Sequence, residues 1–353
     1  MVIKHIQRFQ GLERPGTSRS ARSEYPPLRS RFCCIFSYYV VKIRPWKLSV
    51  EDTIKMKILL LGSSGMLGSD CKELLSRDYE VVAPVKKELD IISWDRVIET
   101  LDHVSPDVIL NCAGFTDVDQ CESEPFLVRK INVEGPRNLA QGSARFDCKI
   151  VHISSDYVFN GRKRIPQPYF EDDTSDPLSA YGKSKVDSEV GIRENAPNYI
   201  ILRTGWLYGK NGPNFISSMI NQALGKNNKT LKVVDDQYGS PTWTIRLAQQ
   251  IKELIERDAL GTYHATADGS CTRYEFAQHI LKKLKIKAKL ERCSIDDYPR
   301  SAQRPKNCIL ENRLLKKKGL SVFPDWKEDV DTYLAEYGHE LVRSAKSRKD
   351  AYI

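Results

Sequence analysis

Lys57-Ile58-Leu59-Leu60-Leu61-Gly62-Ser63-Ser64-Gly65-Met66-Leu67-Gly68 decides the fold. After Lys57 the run is apolar without polar alternation, which reads as a strand covered on both faces. The glycines follow at once, and the next residues read as a helix through about Ser76. A glycine-rich bend between strand and helix lets the backbone approach a pyrophosphate, while the helix N-terminus supplies oriented N–H donors and partial positive charge. Three glycines alone are a weak signal, and a tight turn with no ligand is the competing reading. A strand before them and a helix after them is the context the motif needs.

Working outward, EVVAPV (80–85), DVILNCAG (107–114), KIVHISS (149–155) and YIILRT (199–204) are further buried strand-like runs, separated by amphipathic stretches. That alternation predicts an α/β fold, a doubly wound parallel sheet of Rossmann type. Residues 56–204, with about 231–266, are expected to form the dinucleotide-binding part. Past Gly205 the texture changes to short loops, a Pro241 turn, a helix over Thr272–Leu284 and a Lys-rich segment at 311–319. Residues 205–230 and 267–345 therefore read as a smaller C-terminal substrate-binding region. At the end of the second strand, Pro84-Val85-Lys86-Lys87 offers no acid before Glu88. An acid there would hold a ribose 2′-hydroxyl; Lys86 could instead neutralise a 2′-phosphate, so NADPH is the expected cofactor, with NADH left open. Asp90 and Ile91 stand where they would flank an adenine.

The 353 residues carry a net charge of +9. Residues 1–55 hold 11 Lys/Arg against four acids, leaving 44 bases and 42 acids for the rest. A near-neutral body has no reason to dwell on a phosphate backbone, so nucleic acid is not expected as a partner. The extension itself is Arg- and Ser-rich and broken by prolines. Three readings compete for it: an untidy segment upstream of Met56, an organelle-targeting peptide, or a basic tether. No window approaches 18 uninterrupted apolar residues, so no membrane span is expected. The nine cysteines show neither a CxxC pair nor His-containing zinc spacing. They read as free, mostly buried thiols of a reducing cytoplasm, with no metal site.

The strongest local chemistry is Tyr181-Gly182-Lys183-Ser184-Lys185. A Tyr and a Lys four apart on a helix share a face. A neighbouring ammonium favours phenolate, so Lys185 is expected to lower the Tyr181 pKa towards general acid–base range and to hold a nicotinamide ribose. Such a pair occurs often by chance. What lifts it is Ser154-Ser155-Asp156-Tyr157 at the end of a buried strand, where parallel sheets bind their ligands. The Ser155 hydroxyl there could bond the same carbonyl oxygen that Tyr181 would protonate.

Behind the glycine bend, Ser155, Tyr181 and Lys185 resemble the extended short-chain dehydrogenase/reductase superfamily. NCAGFTDVDQCESEP (111–125), SSDYVFNG (154–161), PLSAYGKSK (177–185), RTGWLYG (203–209), DQYGSPT (236–242) and RPKN (304–307) occur in the order and spacing of dTDP-4-dehydrorhamnose reductases. The resemblance runs from Met56 to about Tyr337. It implies NAD(P)H-dependent reduction of dTDP-4-dehydro-L-rhamnose to dTDP-L-rhamnose, a cytoplasmic step of polysaccharide biosynthesis. It assigns Gly62, Gly65, Met66 and Leu67, with Gly68 closing the bend, to the pyrophosphate turn, and Asp90 and Ile91 to adenine. Cys112, Ala113, Gly114 and Thr116 fall to the nicotinamide side, Ser155, Asp156 and Tyr157 to substrate, and Tyr181 to proton donation. Trp206 would pack on the deoxysugar and Arg304 take the substrate's diphosphate, where a guanidinium suits bidentate contact. Serine replaces the threonine often found at position 155, Gly114 and Cys112 stand where alanines are common, and residues 1–55 have no counterpart.

Two rival readings differ in class. Another nucleotide-sugar enzyme on this scaffold, an epimerase or dehydratase, would recycle a tightly held cofactor; dehydratases commonly need an acid pair, and Asp156 is followed by Tyr157. A non-catalytic regulatory subunit, like that of methionine adenosyltransferase, would bind a dinucleotide without turnover. The sequence leaves open the oligomeric state, a homodimer among the options, and any magnesium requirement.

Overall fold

Six strands form the central sheet of the computed structural model, which describes residues 55–225, 230–298 and 300–350. They are β1 (Lys57–Leu61), β2 (Glu80–Val82), β3 (Val108–Asn111), β4 (Lys149–Ser155), β5 (Tyr199–Thr204) and β6 (Gly261–His264). Every pairing is parallel, in the order β2-β1-β3-β4-β5-β6. The order reverses between β1 and β3, the switch point where doubly wound sheets open a crevice. The extension, up to residue 54, and with it Cys33 and Cys34, lies outside the described residues.

The apolar run in β1 explains why both faces are covered. Ile58 and Leu60 join one core with Leu67, Cys71 and Leu75 of α1 (Met66–Leu75) and Leu247 and Ile251 of a later helix. Leu59 and Leu61 point the other way, onto Val97 and Leu101 of α2 (Trp94–Val104) and Leu139 of α3 (Gly135–Arg145). Burying each such side chain stabilises by about 1.5–3 kcal/mol. On the α3 face also lies α4 (Ala180–Asn195), which delivers Tyr181 and Lys185 to the ends of β3 and β4.

The smaller region is built around α5 (Phe215–Leu224), α7 (Arg273–Lys283) and α8 (Trp326–Asp350), while α6 (Thr244–Glu256) packs on α1. Its core is aromatic: Trp206, Tyr208, Phe276, Trp326 and Tyr333 cluster together. Residues 231–234, expected with the dinucleotide-binding part, form a strand that pairs with Leu290–Cys293 and not with the central sheet, whereas α6 packs on α1 and β6 pairs with β5. The edge strand is also shorter than EVVAPV: pairing ends at Val82, because Pro84 has no N–H to donate. Among the described residues no helix is long and apolar enough to cross a membrane. All seven described cysteines are free, five of them buried.

Candidate active site

The bend after β1 requires its glycines. Gly62 sits at φ +74°, and a Cβ there would lie 2.6 Å from the Ala113 backbone nitrogen. At Gly68 a Cβ would meet the Gly62 carbonyl oxygen at 2.0 Å, so α1 can close onto the bend only with glycine there. The Gly65 N–H donates to Gly62 O at 3.0 Å, and the first turn of α1 carries no acid to oppose an anion. Beside this bend lies a cavity of about 390 Å3 bordered by Gly62, Gly65, Lys86, Asp90, Ile91, Cys112, Ala113 and Gly114. The sequence-expected adenosine-side residues thus converge. Exposed Lys86 at the rim and the close backbone approach fit the phosphates of a dinucleotide.

A second cavity, of about 410 Å3, also borders Gly65, Cys112, Ala113 and Gly114. Into it come Met66, Leu67, Gly68 and Thr116 from one side and Ser155, Asp156, Tyr157, Tyr181, Lys185 and Trp206 from the other. Ser155 closes β4, and its Oγ accepts from the Tyr157 N–H at 3.1 Å and donates to Asp156 Oδ1 at 2.8 Å. Ser179 caps α4, accepting from the Gly182 N–H at 3.1 Å, so Tyr181 leaves the first turn and Lys185 the second. The Tyr181 ring meets Tyr157 edge to face at 6.0 Å.

The expected lowering of the Tyr181 pKa by Lys185 is not what the structure holds. Burial pushes the phenol above its ordinary value, the Ser155 hydroxyl opposes that, and the Asp156 charge adds to it. The Lys185 ammonium is directed elsewhere, donating to the Ile153 carbonyl at 2.6 Å. Burial lowers Lys185 to about 8, against the opposing pull of the Glu189 carboxylate. Glu189 lies one turn further along α4, fully buried, and accepts from Ser154 Oγ at 2.6 Å and from Arg203 Nε at 2.8 Å. This network ties β4, β5 and α4 into a rigid floor. Asp156 is raised to about 6 by burial, with the Ser155 hydrogen bond pulling the other way.

Trp206 lies 8% exposed at φ +51°, so it belongs both to the aromatic core and to the cavity wall. A bulky residue in that backbone region stores strain of the kind found at binding sites. Arg304 borders an adjoining cavity, and its guanidinium forks onto Asp119 at 3.1 and 2.7 Å, holding that carboxyl down at about 2. Both of its Nη atoms already donate to that carboxylate.

Two residues escaped the sequence reading. Arg273 borders the 410 Å3 cavity with its guanidinium 3.4 Å from the centre of the Trp206 ring; in Cys271-Thr272-Arg273-Tyr274-Glu275 nothing separates it from a surface arginine. Asn132, 2% exposed, holds the nicotinamide-side loop to α4, bonding Phe115 N–H and C=O at 2.7 and 2.9 Å and Ser184 Oγ at 3.0 Å. It stands in a π-helical turn over Lys130–Glu134, an irregularity with no signal in the sequence.

Residues 56–339 match the family model described as the RmlD substrate binding domain. A Bacillus subtilis relative named spore coat polysaccharide biosynthesis protein SpsK is 38% identical over 281 residues, covering 79% of this chain and 97% of that protein. The crystal structure of a Clostridium acetobutylicum dTDP-4-dehydrorhamnose reductase superposes with a TM-score of 0.77 at 38% identity, covering 80% of this chain and all of that one. The Bacillus anthracis dTDP-4-dehydrorhamnose reductase, solved in complex with NADP, gives the same TM-score at 36% identity and the same coverage.

Proposed function

The chain belongs to the RmlD substrate binding domain family, and on that premise we propose that it is an NADPH-dependent reductase that converts dTDP-4-dehydro-L-rhamnose to dTDP-L-rhamnose. The observation that carries this reading is the convergence of Ser155, Tyr181 and Lys185 on one cavity that shares its wall with the glycine bend. Dinucleotide phosphates would lie on the bend and the N-terminus of α1, with Lys86 at the 2′-phosphate. The bound nicotinamide would supply hydride to the ketone carbon.

The protein's own part is proton delivery and charge placement. Tyr181, kept protonated by burial, donates its phenolic proton to the oxygen as the ketone becomes an alkoxide. The Ser155 hydroxyl, now turned to Asp156, is placed to donate to that same oxygen and stabilise the charge growing there. Lys185 holds the nicotinamide ribose and keeps positive charge beneath the reacting atoms. Trp206 supplies an apolar face for the deoxysugar. The raised Tyr181 pKa suits this direction: a proton donor must arrive protonated.

The test is NADPH oxidation with dTDP-4-dehydro-L-rhamnose, followed by product identification. Tyr181→Phe should leave the Kd for NADPH within about twofold and lower kcat by about 10²- to 10⁴-fold. Full activity in that variant refutes the assignment, and product formed without stoichiometric NADPH loss would point to an epimerase instead.

A further inference from the structure

Arg273 opens α7 in a fixed position. Thr272 and Glu275 close a capping box around it, with Thr272 Oγ1 accepting from Glu275 N–H at 3.0 Å and Glu275 Oε2 accepting from Thr272 N–H at 2.8 Å. Thr272 Oγ1 also donates to Asp235 Oδ1 at 2.7 Å, tying the cap to the strand across from it. From that anchor the guanidinium carbon sits over Trp206, 3.4 Å from the ring centre.

Its donors are almost unspent. The one protein hydrogen bond it makes among the described residues is a long one, Nε to Gln237 Oε1 at 3.4 Å, and no described carboxylate approaches within 4 Å. Burial destabilises its charged form. A buried cation with no paired anion is costly unless a ligand supplies the anion. Asp156 attracts the guanidinium through space without closing an ion pair, and one oxygen of that carboxylate is taken by Ser155.

Arg273 also stands at a junction. It borders both the 410 Å3 cavity holding Ser155 and Tyr181 and an adjoining cavity of about 530 Å3. The adjoining wall contains Lys232, Arg300 and Arg304, with Phe215 and Tyr298, and no Asp or Glu. A ligand with a small sugar on the catalytic side and an aromatic base on the other must pass its linking group across Arg273. With Arg304 occupied by Asp119, the free fork at that crossing belongs to Arg273.

We propose that Arg273 is the residue that positions the substrate by taking the diphosphate of the nucleotide sugar, its guanidinium pre-oriented on Trp206 so that the sugar is held against Ser155 and Tyr181. This rests on the nucleotide-sugar reading above. It makes Arg273, not Arg304, the specificity determinant for a diphosphate over an uncharged linker.

The test uses the full chain with dTDP, thymidine and NADPH as probes, read by calorimetric titration. Arg273→Met, which keeps an apolar side chain over Trp206, should weaken dTDP by about 10- to 100-fold, the range for losing hydrogen bonds to a charged group. Thymidine and NADPH should change by less than about twofold, and Arg273→Lys should recover part of the dTDP affinity as a point charge. In turnover the loss should fall on KM more than on kcat. Unchanged dTDP affinity in Arg273→Met overturns the proposal, as does a loss that falls equally on thymidine or instead on NADPH. Arg304→Met losing more dTDP affinity than Arg273→Met also overturns it. If wild type binds dTDP but reduces no dTDP-4-keto sugar, the reductase reading fails while the diphosphate contact stands.

Discussion

Raising the pH should weaken cofactor binding through a single group. Lys185 is 6% exposed and sits near a pKa of about 8, against an ordinary 10.5. If a protonated Lys185 holds the cofactor ribose, the competent fraction falls from about nine-tenths at pH 7 to about one-tenth at pH 9, so the Kd for NADPH should rise about tenfold. Folding stability should move the opposite way. A buried lysine with a depressed pKa binds fewer protons folded than unfolded between about 8 and 10.5, so its penalty, ~3 kcal/mol when complete, is present below pH 8 and relieved as pH climbs through that window. The assay is NADPH fluorescence titration across pH 6.5–9.5, paired with urea denaturation. Lys185→Met should bind weakly with no slope. A flat Kd in wild type, or an undiminished slope in Lys185→Met, refutes both the pKa assignment and the ribose contact.

Gly68→Ala drives a Cβ into the Gly62 carbonyl, where backbone rather than a flexible side chain must yield; it should cost about 1–3 kcal/mol in denaturant and weaken NADPH, and unchanged values for both would show that the bend is not the binding element. Arg203→Met leaves the fully buried Glu189 carboxylate with only the half-exposed Arg193 and the Ser154 hydroxyl as partners and should destabilise by about 3 kcal/mol in the same assay, part of which Arg203→Met/Glu189→Leu recovers. Asp156 is ionised only above about pH 6, and its carboxylate competes with the substrate oxygen for the one Ser155 proton, so kcat/KM should rise as pH drops through 6, and Asp156→Asn should flatten that limb. An acid limb that survives in Asp156→Asn assigns it to another group.

The sequence made the sheet legible because burial on both faces writes itself as unbroken apolar runs. KIVHISS and YIILRT match β4 and β5 residue for residue. Legibility failed where a residue's meaning depends on what crosses it. Leu231–Val234 looks like any short strand, and only its partner Leu290–Cys293 places it outside the sheet. Arg304 and Arg273 could not be told apart for the same reason. An arginine is written identically whether an aspartate 185 residues away closes its fork or an indole leaves it open. Tyr181 and Lys185 were legible as neighbours, but their electrostatics were not, since helix spacing gives the direction of a side chain and not the solvent around it.

That last point changes how the pair works. Spacing alone suggests that the ammonium lowers the phenol's pKa. In the folded chain, desolvation is the larger effect on both groups, and it acts on them in opposite directions, because one is charged when protonated and the other when not. Tyr181 is thereby held as the neutral acid, and Lys185 stays mostly charged at pH 7 but loses its proton more readily than a free lysine. Both shifts favour the less charged form, so the pocket resists charge until a ligand brings it. An anionic dinucleotide beside Lys185 would hold the ammonium to higher pH, and the ammonium would then favour ionisation of Tyr181 as its proton passes to the alkoxide. On the proposed mechanism, proton donation would therefore be coupled to cofactor occupancy. The coupling predicts that NADP+ binding raises the Lys185 pKa above about 8 and lowers that of Tyr181, measurable by NMR with labelled lysine and tyrosine. If both titrate identically with and without the dinucleotide, Lys185 serves the ribose alone and the phenol acts without it.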